Sequence, residues 1–155
     1  MKSPEDSKPD SWHRFFGSSA NNRAWDLAEL PADQIDPREL LDAAHAAAWH
    51  WQAIGTELQR MRALTLLALA HAKVGLGTTA LAYAEEMRSY FLATPGTANL
   101  EVAFAHVAHA YAASAAGAKS QHADSYAQAV KAVAAIADEQ DRRVVQLVFR
   151  HVPVP

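Results

Sequence analysis

The chain contains no cysteine, which removes disulfides, thiolate metal sites and cysteine nucleophiles together. Glycine and proline are scarce, at 6 and 7 of 155 residues, and most of them stand between periodic segments. Neither sign of charge dominates: 14 Lys and Arg face 17 Asp and Glu. No basic patch of the size a nucleic acid needs is present, so no nucleic-acid partner is expected. Long apolar runs are missing too. Residues 63–72 and 103–118 are the most apolar windows, and both are too short or too polar to span a bilayer. No membrane partner is therefore expected. The opening decapeptide MKSPEDSKPD has no apolar run, so no signal peptide is expected and the chain reads as cytoplasmic.

What the chain has is alanine, roughly a quarter of all residues, in a composition that is 50% apolar and 20% charged. That mixture predicts an all-α fold with closely approaching helices, in one domain large enough to bury a core. Residues 1–24 are polar and read as a flexible tail, apart from Trp12, Phe15 and Phe16. Those aromatics either dock on the body or serve as a recognition segment. Residues 25–155 read as a single helical domain, with one helical turn at 25–30 before Pro31.

Asp36-Pro37 is a helix start, with Asp as N-cap and Pro at the first helical position, and Gly55 is its stop. Leu41, Ala44, Ala48 and Trp51 make its apolar stripe, and His45 and Trp49 lie one turn apart on its flank. Thr56 caps a second helix, whose leucines fall on nearly every side and place it at the centre. Further helices are expected after Gly75-Leu76-Gly77, after Thr94-Pro95-Gly96 and after Gly117, with a short last one from Asp138. The short loops imply an antiparallel helical-hairpin array of five to six helices.

Residues 62–95 carry Leu64, Leu67, Ala68 and His71, then Gly75, then Ala80, Ala84 and Met87, closed by Pro95. This order resembles the tetratricopeptide repeat, a helix–turn–helix unit of about 34 residues. It departs from that pattern at Leu64, Ala68 and His71, where the family prefers Trp, Gly and Tyr. A weaker copy over residues 102–137 places Phe104, Val107, Ala108 and Tyr111 in the same order, with a longer spacing from Leu64 to Phe104 than the family has. Two such units need caps at their ends, or a second subunit in a homodimer, to be stable.

The resemblance implies a non-catalytic scaffold that presents a groove to a peptide or protein partner. Its groove residues would be Arg62, Thr65, Leu69 and Lys73 in the first unit. In the second they would be Val102, Ala105, His109 and Ala113, with His106 beside them. Two cations and two imidazoles there imply an acidic or carboxylate-bearing partner. The asparagines with which some family members clamp a carboxylate are missing at the matching places.

A different reading takes the eight histidines as a site. His106 and His109, three apart on a helix, could share a metal or small ligand, with Glu101, His71 or His45 completing the set. No HExxH or di-iron motif supports it, so no metal and no cofactor are expected. An enzyme is not expected either. Gly75-Leu76-Gly77 follows a helix and is too short to cradle a dinucleotide, and no nucleophile–base pair or paired carboxylates stand out.

Overall fold

A computed structural model of the chain describes residues 3, 4 and 8–155. Among them are seven α-helices and no strand: α1 (Pro9–Glu29), α2 (Pro37–Ile54), α3 (Glu57–Lys73), α4 (Gly77–Ala93), α5 (Asn99–Ala115), α6 (Lys119–Ala134) and α7 (Glu139–Phe149). They form three antiparallel hairpins, α1–α2, α3–α4 and α5–α6, with α7 closing the array.

Local chemistry fixes most boundaries. Asp36 accepts hydrogen bonds from the amides of Arg38 and Glu39 ahead of Pro37. Thr56 and Gln59 form a reciprocal capping box at the start of α3, and the Asp138 side chain caps α7. The α3–α4 and α5–α6 turns are twins. In each a glycine adopts positive φ, Gly75 at 80° and Gly117 at 71°. The amide after it reaches back to the helix, Leu76 to the His71 carbonyl and Ala118 to the Ala113 carbonyl, both at 2.9 Å. This closure satisfies orphan carbonyls, and only glycine enters that conformation without steric cost.

Helix α1 corrects the expected tail. Residues 9–24 belong to a helix running to Glu29, with Gly17, Ala24 and Leu27 buried. Residues 1, 2 and 5–7 of that expectation lie outside the described residues. Gly17, three serines and two asparagines give α1 a poor intrinsic propensity. Its order comes from packing against α2 and α3, a tertiary contribution that propensity does not contain. The aromatics Trp12, Phe15 and Phe16 sit on α1 itself, and the Phe16 ring lies 5.7 Å from that of His50 in α2. One full hairpin therefore precedes the two units visible in the sequence.

The core has two parts. Leu27, Leu40, Ala44, Leu66 and Leu67 join α1, α2 and α3. Met61, Leu69, Met87, Phe91, Phe104, Val107 and Val145 join α3 to α7. In α3 every residue from Thr65 to Ala72 is buried, and in α5 every residue from Ala103 to Ala110. Two central helices thus share the role the sequence assigns to one. Alanine makes this possible, because a methyl side chain lets neighbouring axes approach on several sides at once.

Helix α1 packs on α3, α3 on α5 and α5 on α7, whereas even-numbered helices touch mainly the helices before and after them in the chain. Crowding on the odd side makes it the inner face. No helix among the described residues is long and apolar enough to cross a membrane.

Candidate binding groove

On the inner face, Asn21 and Trp25 from α1, Arg62 and Thr65 from α3, and Leu100, Glu101 and Phe104 from α5 line a cleft of about 260 Å³. Arg62 is its centre. The Arg62 Nε donates to Glu101 Oε1 at 2.7 Å, and Nη2 donates to the same oxygen. Glu101 is only 5% exposed, so Arg62 is what makes a buried carboxylate tolerable there. Thr65 is buried in the floor, its hydroxyl donating to the Met61 carbonyl at 3.0 Å. Trp25 covers Phe104, with ring centroids 5.8 Å apart.

Arg62 also lines two adjoining clefts. One of about 210 Å³ runs toward Ser18, Asn22, Trp51 and Gln59. The other, about 300 Å³, runs toward Leu58, Tyr90 and the 94–98 loop. Together they form a trough at one end of the inner face.

The other end is filled. Trp25, Leu69, Lys73, Tyr111, Leu147, Val148 and His151 enclose a residual space of about 10 Å³, too small for more than a water molecule. Trp25 and α7 cover Leu69 and half-bury Lys73. Burial, and then the nearby Arg150 guanidinium, pull the Lys73 ammonium below its ordinary range. Its Nζ lies 3.4 Å from His151 Nδ1, and His151 is lowered in turn by burial, Lys73 and Arg150. A cation-crowded corner of this kind disfavours a further cation.

Of the residues singled out in the sequence, Arg62 and Thr65 line the open trough, while Leu69 and Lys73 line its plugged end. Val102, His106 and His109 do not join them, and this corrects the second half of the expected groove. His109 is 3% exposed, and its Nδ1 sits 2.7 Å from Ser125 Oγ of α6. His106 is buried beside Arg88 of α4, and its Nδ1 has no partner. Burial, reinforced by Arg88, lowers both imidazoles to about 4. They are neutral core residues of the hairpin interior.

The cause is a two-residue slip. The steps from Glu57 to Asn99, from Gly75 to Gly117 and from Gly77 to Lys119 are equal, and each is two positions longer than the step that superposes Leu64 on Phe104. At roughly 100° per residue, two residues rotate a helical stripe by about 200°, onto the opposite side. With the turns superposed instead, Phe104 takes the place of Arg62 and Tyr111 that of Leu69, both facing the groove. His106 and His109 take the places of Leu64 and Leu67. The step between the turn glycines is the sequence signal that sets α5 correctly. For Asn21 and Trp25 the signal is the helical spacing of Gly17, Ala24 and Leu27, the buried face of α1.

Among the described residues no group of three or more His, Asp or Glu side chains is placed to hold a metal ion. Arg88 beside His106 and His109 adds a repulsive charge at the pair named in the sequence. Compared with protein-family models, curated proteins and solved structures, the chain finds no match in any of the three.

Proposed function

We propose that this chain is a non-catalytic, tetratricopeptide-like scaffold of the cytoplasm that takes a segment of a peptide or protein partner into the trough around Arg62. The observation that carries this reading is the open inner-face trough, which brings Asn21, Trp25, Arg62, Glu101 and Phe104 together from three helices. Aromatic area, a side-chain amide and a charge pair offer both apolar contact and hydrogen bonds of either sense, as protein-recognition surfaces do. The sequence alone points to an acidic partner, with Arg62 and Lys73 as two free cations. Glu101 already offsets Arg62 and Lys73 lies behind Trp25, so the trough suits a neutral or mixed-charge segment better.

A photocrosslinking residue placed at Asn21 tests this. It should trap a discrete partner that the same residue at Gln128, exposed on α6, does not trap. Arg62→Ala combined with Glu101→Gln, which leaves no buried carboxylate without its partner, should weaken the captured complex by about tenfold, the size of one well-placed polar contact, with helical circular dichroism retained. Equal trapping from both positions would sink the proposal.

A further inference from the structure

Away from the trough, at the α1–α2 interface, two imidazoles from different helices point the same ring nitrogen at each other. His13 Nδ1 and His50 Nδ1 are 3.0 Å apart, with ring centroids 5.0 Å apart and planes at 67°. Both side chains are half-buried and still reach solvent. Neighbouring rings hold them: Trp49 lies 5.3 Å from His13 and 5.0 Å from His50, and Phe16 lies 5.7 Å from His50. Gly17, one turn beyond His13, explains the close approach. A Cβ there would stand 3.1 Å from His50 Cβ and 3.2 Å from the Trp51 ring. A bare glycine in the interior of α1 costs helix stability of about 1 kcal/mol relative to alanine, and here it lets α2 bring His50 up to His13.

We propose that His13 and His50 form a two-imidazole chelate for a borderline divalent transition-metal ion of the Zn(II), Ni(II) or Cu(II) class. Metal–imidazole bonds of roughly 2.0–2.1 Å put two donors about 2.9 Å apart at a right angle and about 3.3 Å apart at the tetrahedral angle. The 3.0 Å separation lies inside that range. In the metal-free chain one Nδ1 carries the proton and donates to the other. Metal binding takes both rings as Nε2–H tautomers, which frees a lone pair on each Nδ1, and a small tilt of the two rings turns both toward one ion beside the N–N line. The Nδ1 proton is lost to solvent as Nε2 of the same ring gains one, and no net proton is released. With only two protein donors, water fills the remaining positions. Imidazole selects Cu, Ni and Zn, whereas Ca(II) and Mg(II) want oxygen ligands that are absent from the pair.

Calorimetric titration of tag-free, chelator-treated protein with Ni(II), Cu(II) or Zn(II) should show a saturable site that Mg(II) and Ca(II) do not fill. His13→Gln and His50→Gln should each weaken it by roughly 100-fold, because the second bond of a chelate is intramolecular. His45→Gln, on the exposed part of α2, should leave it unchanged. Ring ¹⁵N spectra of the unsubstituted protein give a readout independent of folding in the variants: Zn(II) should shift the two Nδ1 resonances and leave both Nε2 atoms protonated. No saturable binding, binding that survives both substitutions, or coordination through Nε2 would each overturn the assignment.

Discussion

The second and third hairpins have one backbone and two kinds of interior. Shifted by the step from Gly75 to Gly117, their starts, turns and glycines coincide. Between α3 and α4 the matched interior positions carry Leu64, Leu67, Ala80, Ala84, Met87 and Phe91. Between α5 and α6 they carry His106, His109, His122, Tyr126, Ala129 and Val133. One interior is apolar and nearly dry of side-chain hydrogen bonds. The other is studded with imidazoles: His109 is held by Ser125 and His122 by the Pro153 carbonyl, which accepts from its Nε2 at 2.9 Å, while His106 Nδ1 has no partner. Backbone register is thus set by turns and small residues, while interior chemistry varies freely around it. The turn glycines therefore carry the register of α5, and its interior side chains do not.

The largest test of this comparison uses Gly77 and its counterpart Lys119. A Cβ on Gly77 would overlap the backbone of Ala115 and Ala116, where α5 ends. Lys119 opens α6 at the matched position and is exposed, because only the short α7 follows it. Gly77→Ala should destabilise the fold by about 3 kcal/mol, the upper part of the overpacking range. Lys119→Ala should change it by less than about 0.5 kcal/mol. Urea midpoints at constant m-value read both. A tolerated alanine at 77 would break the claim that α4 and α5 meet backbone to backbone.

Replacing His106 by the residue its twin position carries comes next. His106→Leu removes a buried Nδ1 without a partner and a group facing Arg88. It should stabilise the fold by about 1–2 kcal/mol at pH 7. The gain should widen in acid. The folded-state value of His106 is lowered to about 4 from an unfolded value of 6.5, so between those limits the unfolded chain binds the extra proton. Stability from this group is complete above about pH 6.5 and is lost as pH falls toward 4. Denaturation at pH 7.0 and pH 4.5 should show a smaller acid loss for His106→Leu than for the unsubstituted protein. An equal loss in both would mean that His106 is hydrated in the folded chain.

Much of the fold was legible because its signals are local. Asp36-Pro37, Thr56, Gly75, Gly117 and Asp138 each act within a few residues, and each stands at the boundary expected of it. Helix α1 was not, because its stability resides in contacts with α2 and α3, whereas Gly17, Ser18, Ser19, Asn21 and Asn22 read locally as loop. Of the α3 positions named from the repeat-like order, Arg62 and Thr65 line the open trough, and Leu69 and Lys73 line its plugged end. The α5 side failed through register alone. Trp25, which plugs one end of the trough, and the buried Glu101 beside Arg62 depend on how three helices meet, and no spacing within one helix carries that.

The smallest test separates a hydrogen-bonded imidazole from a merely packed one. Ser125 stands where the second hairpin has Tyr83, and His109 where it has Leu67. An imidazole and a small hydroxyl residue therefore stand where the second hairpin has a leucine and a tyrosine. Ser125→Ala would leave His109 Nδ1 buried without its partner at 2.7 Å, at a cost of about 1 kcal/mol. In the double variant His109→Leu with Ser125→Ala no polar atom of the pair is stranded, and most of that loss should return. A double-mutant cycle in urea at pH 7 gives the coupling directly. Coupling near zero would show that the third hairpin tolerates its histidines by packing alone, and the contrast with the second would then be one of volume rather than of hydrogen bonding.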